Sequence, residues 1–487
     1  LKIVIFSICS VFRHQGYGGS QKILRDISLH LGKLGDQVTI LCTASPNNTE
    51  PFELGSNVVV LPILRFKETY PEPFYTAPYN LSNLIHDLHY HLNNSDVFYI
   101  HGCELPYHFL YDEIPTVISF QDFVYPNVLA HGLSVRRDLL ILSSNYIAGC
   151  VTDTFSTFCP SIRDRIQVIP NGCDLVRFCP TSTDRIRQII PLPTEAIPIL
   201  YPHRSDPRKG IYQAIDVVQR LRQRMGAKGE QLRLLIPVWL NSQATIDPPN
   251  IPQSLHNTIP NCTEEYKEAQ EYAEQQGVAD LLVFHPWVGY ELLPEYYSLG
   301  KVTLCIGNCV ESFGNVQLES IACGTPCIVS RVGAYRHILP DEIITKVDYG
   351  DLDETVDAVR SAIDSQYNTE AAREFINSSY SYEQMLFGYQ EALTTVRVSP
   401  PLKERYVNLL SATDWLKTPT WCYQGSKGYY NDYNYSYETE ATLQKLLAQV
   451  SLPASVADIL SMGFRLEELE QFLRSGTLVR YHPRAYS

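Results

Sequence analysis

The sequence predicts an α/β protein in which two doubly wound domains are followed by a small, mainly helical extension. Three observations lead there. Apolar runs of strand length alternate with helix-spaced apolar residues through most of the chain. A proline-rich stretch at 180–198, holding Pro180, Pro191, Pro193 and Pro198, divides that alternation in two. Beyond about Pro400 the composition turns tyrosine-rich and then helical.

Residues 2–9 form a continuous apolar run, as expected of a strand covered on both faces. A loop with Gly16, Gly18 and Gly19 follows. Ile23, Leu24, Ile27, Leu31 and Leu34 then recur at helical spacing, and Gly35 stops the helix. Residues 38–42 return as a strand, completing the unit that opens a parallel sheet. Further strands are expected at 58–61, 97–101, 116–120, 146–151 and 167–169. After the linker, strands are expected at 199–201, 232–238, 281–284, 302–305 and 326–330. Helices are expected at 211–224, 262–276, 354–365 and 382–395, and a polar, proline-rich surface loop at 241–260. The expected domains are 1–185, on the acceptor side, and 186–378, with a closing helix at 379–399. The extension at 400–487 crowds Tyr429, Tyr430, Tyr433, Tyr435 and Tyr437 before two helical segments, 440–450 and 455–473.

The chain has 487 residues, enough for two large domains and an extra piece. Hydrophobic residues make up 45% and charged residues 19%, the balance of a globular protein. A net charge of -14 argues against nucleic acid as a partner. No apolar run is long enough to cross a bilayer. The opening run reads as a buried strand rather than a signal peptide. The 13 cysteines lack zinc-site spacing and are expected to be thiols in a reducing cytoplasm.

The segment Glu311-Ser-Phe-Gly-Asn-Val-Gln-Leu-Glu319 follows an expected strand and opens a helix. Free backbone N–H groups at such a helix start suit a diphosphate. Gly314 lets the backbone approach a ligand. Taken alone, Glu311 and Glu319 read first as solvated acids at a helix start, where acids are favoured anyway. The following Cys-Gly-Thr-Pro pattern at 323–326 shifts the balance.

With that segment the chain resembles the family-four retaining glycosyltransferases (group 1 glycosyl transferases), which carry an E-x7-E region. Val168-Ile-Pro-Asn-Gly-Cys-Asp174 with Phe178, Tyr201-Pro-His-Arg204, Arg208-Lys209-Gly210 and Gly18-Gly19 resemble further family motifs in the family's order. The likeness spans roughly residues 1–395. It implies a GT-B fold, with two Rossmann-like domains facing across a cleft. It implies transfer of a sugar from a nucleotide-diphosphate donor to an acceptor hydroxyl with retention and without a metal or other cofactor. Arg204 and Lys209 would neutralise the diphosphate and the charge that develops as it leaves. Glu311 would contact the transferred sugar and Glu319 the ribose. The amides of Gly314, Asn315 and Val316 would hold the donor, and Gly18 and Gly19 would let the first loop approach it. Pro237 or Trp287 would lie near the base.

One position departs from the family pattern. Many relatives carry a histidine where Ser119-Phe-Gln-Asp-Phe123 places Gln121, beside Asp122. Glutamine hydrogen-bonds but does not titrate, so it could position the sugar without acting as a base. His101 is a second strand-end residue, read equally as facing the cleft or as a structural histidine. Two other readings stay open here: a GT-B enzyme of different reaction, such as an epimerase or phosphorylase, and a nucleotide-sugar-binding protein without turnover. The acceptor is left as a glycan, a small molecule or a peptide. Peripheral membrane contact also stays open. The tyrosine-rich segment is read either as a binding surface or as a loop packed on the body.

Overall fold

The computed structural model describes residues 1–13, 18–45, 48–66, 77–102, 105, 111–121, 138–204, 206–238 and 264–481. Gly16, Asp122 and the expected loop at 241–260 lie outside the described residues. The chain forms two compact units: Leu1–Asn171 with Glu383–Ser487, and Gly172–Tyr382.

The first unit begins with strands β1 (Lys2–Ser7), β2 (Gln37–Thr43), β3 (Phe52–Gly55), β4 (Val58–Leu64), β5 (Val97–His101), β6 (Thr116–Phe120), β7 (Leu139–Leu142) and β8 (Ile166–Val168). They make one sheet in the order β3-β4-β2-β1-β5-β6-β7-β8. All neighbours run parallel except β3 against β4. Every residue of β5 and β6 is buried, as their unbroken apolar runs require. Helices α1 (Gly19–Lys33), α2 (Pro78–Leu92) and α3 (Asn145–Phe155) belong to this part. Helix α1 buries the expected Ile23, Leu24, Ile27 and Leu31.

Residues 146–151 are not the strand the sequence suggested but the heart of α3. A short apolar run fits a buried helix as well as a strand. Ser144 decides between them, because its hydroxyl accepts from the Ile147 N–H at 3.2 Å as an N-cap.

The second unit holds strands β9 (Ile197–Leu200), β10 (Leu232–Val238), β11 (Leu282–Pro286), β12 (Val302–Cys305), β13 (Cys327–Ser330) and β14 (Thr345–Val347). They form a parallel sheet in the order β11-β10-β9-β12-β13-β14. Its helices are α4 (Asp184–Ile189), α5 (Ile211–Met225), α6 (Glu264–Gln275), α7 (Leu293–Leu299), α8 (Asn315–Ala322), α9 (Leu352–Asp364) and α10 (Thr369–Ser379). Ile199, Ile215, Val218, Leu234, Leu304 and Val356 meet in one core. Each such side chain contributes about 1.5–3 kcal/mol by leaving water.

The units divide at 171/172 and 382/383, not at the expected 185/186 and 378/379. Glu295 of α7 accepts from the backbone N–H groups of Arg185 and Ile186, both at 3.1 Å, which ties the linker helix α4 into the second unit. Cys173 bridges in parallel to Ser381, so the segment entering this unit and the one leaving it lie side by side.

Helix α11 (Tyr382–Thr395) leads back to the first unit, where the extension adds β15 (Trp415–Lys417), β16 (Cys422–Gly425), β17 (Gly428–Asn431), β18 (Ser436–Glu438), α12 (Ala441–Gln449), β19 (Ala454–Ser455), α13 (Val456–Ser461), α14 (Leu466–Arg474) and β20 (Val479–Tyr481). Besides the expected helices it thus contains two three-stranded antiparallel sheets, β19-β15-β20 and β16-β17-β18. The tyrosine-rich stretch is the second of these. Tyr429 and Tyr430 are buried, and Tyr429 joins Leu416, Leu446, Ile459, Leu469 and Phe472 in a core of its own.

The extension covers one face of α3. Tyr146, Gly149 and Asp153 recur on that face at helical spacing. Tyr146 donates to Asp432 at 2.7 Å. Asp153 accepts from the Thr420 N–H and hydroxyl, each at 2.8 Å, and pairs with Lys417 at 2.6 Å. A Cβ on Gly149 would stand 2.5 Å from the Thr420 hydroxyl, so only glycine allows this approach.

Candidate active site

In an open α/β sheet, ligands bind beyond the carboxyl ends of the strands where the strand order reverses. In the second unit the chain runs outward from β9 through β10 to β11, then returns to the other side of β9 with β12. The loops leaving β9 and β12 therefore share that reversal, and they hold the expected residues 204–210 and 311–316.

Two glycines bring these loops into backbone contact. A Cβ on Gly307 would lie 2.1 Å from the Arg208 carbonyl oxygen, and one on Gly210 would lie 2.8 Å from the Gly307 nitrogen. The Cys309 N–H donates to the same Arg208 carbonyl at 2.8 Å. Gly210 also adopts a φ of 92° as the N-cap of α5, and Gly314 a φ of 84° as the N-cap of α8. The two helix starts consequently flank one spot, each being the positive end of a helix dipole. Gly333 closes the far side, since its own Cβ would stand 2.7 Å from the Glu311 carbonyl, which accepts from the Ala334 N–H at 2.8 Å.

At that spot the Lys209 ammonium is ion-paired and hydrogen-bonded to the Glu311 carboxylate, both side chains being 19% exposed. Burial disfavours both charges, and the pairing overcomes it. The Lys209 ammonium is held above the usual lysine range, and Glu311 is held below the usual carboxylate range, helped by His203 and Arg204. Arg204 is half-buried, with Asp206 at 4.0 Å. Asp206 mainly orients Arg208, through a pair at 2.9 Å and an N-cap bond to its N–H at 3.0 Å. Of the three clustered basic residues, Lys209 and Arg204 act electrostatically on Glu311, while Arg208 is engaged by Asp206.

Asn315 and Val316 open α8, directly after its N-cap Gly314. Glu319 lies further along α8, buried, and accepts from the Tyr297 hydroxyl at 3.2 Å. Trp287 is partly exposed, whereas Pro237 is buried within β10 and its carbonyl takes the Tyr266 hydroxyl at 3.1 Å.

The first unit repeats the plan at its own reversal, between β1 and β5. Gly18 and Gly19 are exposed at the start of α1. Next to them, the Ser20 hydroxyl meets His101 Nε2 at 2.8 Å, while His101 Nδ1 meets the Tyr99 hydroxyl at 2.8 Å. Burial pushes the His101 imidazole down to about 4, which favours its neutral form. Gln121, at the end of β6, donates to the Ser119 hydroxyl at 3.3 Å and to Tyr389 of α11 at 3.4 Å.

The motif reading did not single out His203, Gly307 or Tyr335. The signals were a histidine directly before Arg204 and a glycine two residues past the end of β12.

Residues 182–382, which hold the two loops after β9 and β12 and the lysine–glutamate couple, match the family described as glycosyl transferases group 1. The chain thus carries a group 1 glycosyl transferase domain in a GT-B fold. Among curated proteins it is similar to the D-inositol 3-phosphate glycosyltransferase of Acidothermus cellulolyticus, 29% identical over 37% of this chain and 36% of that one. The protein of the same name from Geodermatophilus obscurus is 31% identical, again over 37% and 36%. The chain therefore spans little more than a third of the length of these relatives. Among solved structures it resembles sucrose-phosphate synthase from Thermosynechococcus elongatus, with a TM-score of 0.59, 17% identity, and 80% and 97% of the two chains covered. It also resembles the Anabaena protein HepE, solved in complex with UDP and glucose, with a TM-score of 0.60, 14% identity, and 81% and 99% covered. No helix among the described residues is long and apolar enough to cross a membrane.

Proposed function

We propose that this protein transfers a sugar from a nucleoside-diphosphate donor to an acceptor hydroxyl, with retention of anomeric configuration and without a metal ion. The observation that carries the reading is the placement of Lys209, Arg204 and Glu311 between two helix starts at the strand reversal of the second unit. Cations and helix N–H groups there can neutralise a diphosphate before and after it leaves, the work a metal would otherwise do. Glu311, the one carboxylate in the charged pair, would accept hydroxyls of the transferred sugar. Glu319 would hold the ribose, exchanging its bond from Tyr297. The amides of Gly314, Asn315 and Val316 would meet the donor at the start of α8.

In the first unit, Gly18 and Gly19 would let the first loop approach the donor, and no atom of the described residues lies within 4 Å of a Cβ on Gly18. Gln121 would orient the sugar by hydrogen bonding. The leaving phosphate itself would take the acceptor proton, on the face it departs from, which gives retention. Residence in the cytoplasm belongs to the same reading, since the described cysteines carry free thiols.

Thermal unfolding with UDP, GDP, ADP and TDP tests the donor site. A nucleotide at about a hundred times its dissociation constant adds about 2.7 kcal/mol to the folded state. One of the four is expected to raise the midpoint of the wild type, in the presence of EDTA as well, and not that of Arg204→Ala. If none raises the wild-type midpoint, the donor reading fails. With the matching sugar nucleotide, a product of inverted anomeric configuration would overturn retention.

A further inference from the structure

Gln121 ends a chain of buried polar side chains in the first unit, and the directions of its hydrogen bonds can be worked out one after another. Tyr99 and His101 stand two residues apart on β5, and so on one face of the sheet. Ser119 of β6 pairs with His101 in the parallel ladder, and Gln121 follows two residues later. Tyr99, His101 and Ser119 are all buried.

The chain starts at a backbone carbonyl. The Ser20 carbonyl oxygen lies 2.9 Å from His101 Nε2. A carbonyl oxygen only accepts, so Nε2 carries the ring proton. Burial favours the neutral ring, which has one N–H, so Nδ1 is a bare acceptor. The Tyr99 hydroxyl, 2.8 Å away, therefore donates to Nδ1. Its only proton is then spent, and its oxygen accepts from the Ser119 hydroxyl at 2.9 Å. Ser119 has now spent its proton too, so its oxygen accepts from Gln121 Nε2 at 3.3 Å. The second proton of that nitrogen goes to the hydroxyl of Tyr389, a fully buried residue of α11, at 3.4 Å. Turning the amide over would set its oxygen against the Ser119 oxygen, whose proton is committed to Tyr99.

We propose that His101, Tyr99 and Ser119 are positioning residues for Gln121: they hold its amide nitrogen inward, so that its carbonyl oxygen is the atom that meets the donor's sugar and accepts a hydrogen bond from one sugar hydroxyl. The inference rests on the donor reading given above, in which Gln121 orients the sugar. An amide oxygen can accept two hydrogen bonds, so a sugar hydroxyl can be added to any it already takes. The tautomer of one buried histidine thus sets which kind of group the site recognises. It asks for a hydroxyl that donates, and it discriminates against a substituent that can only accept.

The experiment is calorimetric titration of the full chain with whichever of UDP, GDP, ADP and TDP stabilises the wild type. The same titration is then run with the tightest-binding of its glucose, galactose, mannose and N-acetylglucosamine derivatives, and with the deoxyfluoro analogues of that sugar nucleotide. Fluorine in place of a hydroxyl keeps a weak acceptor and removes the donor. Wild type is expected to bind the analogue altered at the contacted position about fivefold more weakly, the worth of one neutral hydrogen bond. Tyr99→Phe and Ser119→Ala each take one hydroxyl out of the chain and free the amide to turn. Both are expected to bind the bare nucleotide as wild type does and to lose the discrimination at one fluorinated position. If the wild type binds every analogue like the parent, or both variants keep its full pattern, the inference is overturned and the donor site stands. Equal weakening of bare and sugar nucleotide in the variants also overturns it, because a general disturbance would then explain both. If no nucleotide binds the wild type, the donor reading fails and this inference with it. Nitrogen-15 spectra of histidine-labelled wild type, with His101 assigned through its backbone, test the start of the chain without any variant. A protonated Nε2 and a bare Nδ1 are expected, and the opposite tautomer or the imidazolium would sink the proposal.

Discussion

At the scale of single residues, the site is a buried charge balance. Lys209 and Glu311 each offset the other's loss of hydration, and removing one leaves the other exposed to that cost. Lys209→Met is expected to destabilise the protein by about 3 kcal/mol, the lower end for a broken buried pair because both side chains keep some contact with water. Denaturant unfolding measures it. The pH dependence has a definite sign. The folded-state value of Glu311 lies below its ordinary 4.5, so the pair's contribution is present above that value and is lost as pH falls through the folded one. The acid-side loss of stability should therefore shrink in Lys209→Met, and an identical acid profile in the two proteins would contradict the pairing. His203 shows why residue-level detail escaped the sequence. The basic residues and carboxylates announced themselves by type and spacing, whereas a histidine beside a strand end carries no information about whether its nitrogens find partners.

At the scale of elements, the site depends on how closely two loops approach. A methyl on Gly307 would enter the carbonyl of Arg208, a backbone atom that cannot swing aside. Gly307→Ala is expected to cost about 1–3 kcal/mol and to weaken nucleotide binding by shifting Lys209 against Glu311. Gly289→Ala is the control, since no atom of the described residues lies within 4 Å of its Cβ and its φ of -66° suits any residue. It should leave both the unfolding midpoint and nucleotide binding unchanged, and equal losses in the two variants would remove the loop argument. Strands were the most legible elements. The runs at 97–101, 116–120, 232–238 and 302–305 became strands with those bounds, because strands buried on both faces must be apolar throughout. Helix α3 was misread for the same reason, its apolar centre hiding a cap at Ser144 and a polar face at Tyr146 and Asp153. The strands of the tyrosine-rich stretch were missed because their pairing is set by partners across two turns rather than by any local period.

At the scale of the whole molecule, the two doubly wound sheets followed from alternation along the chain, but the division between them did not. The proline-rich linker looks like a boundary, yet α4 within it is fastened to Glu295 of the second unit, a contact 110 residues away that composition cannot reveal. The extension is the larger lesson. Tyrosines in a polar stretch left two readings open, a binding surface or a loop packed on the body, and a chain ending near Pro400 would be the simplest way to separate them. The structure makes that truncation a test of folding instead, because it uncovers the face of α3 that holds Tyr146, Cys150 and Asp153, each of them buried. Asp153 is the better probe. In Asp153→Ala the Lys417 ammonium loses its carboxylate and the Thr420 N–H and hydroxyl lose their acceptor, within a full-length chain. The expected cost is about 3–5 kcal/mol, as for a buried ion pair with one partner removed, and Lys417→Met in the same background should recover part of it by removing the stranded charge. Thermal unfolding of the two single variants and the double variant measures the coupling. If Asp153→Ala unfolds at the wild-type midpoint, the extension is not held through this face. If it unfolds early and the double variant recovers, the extension is part of the first unit's core, and any change of acceptor preference on truncation reports lost structure rather than lost recognition.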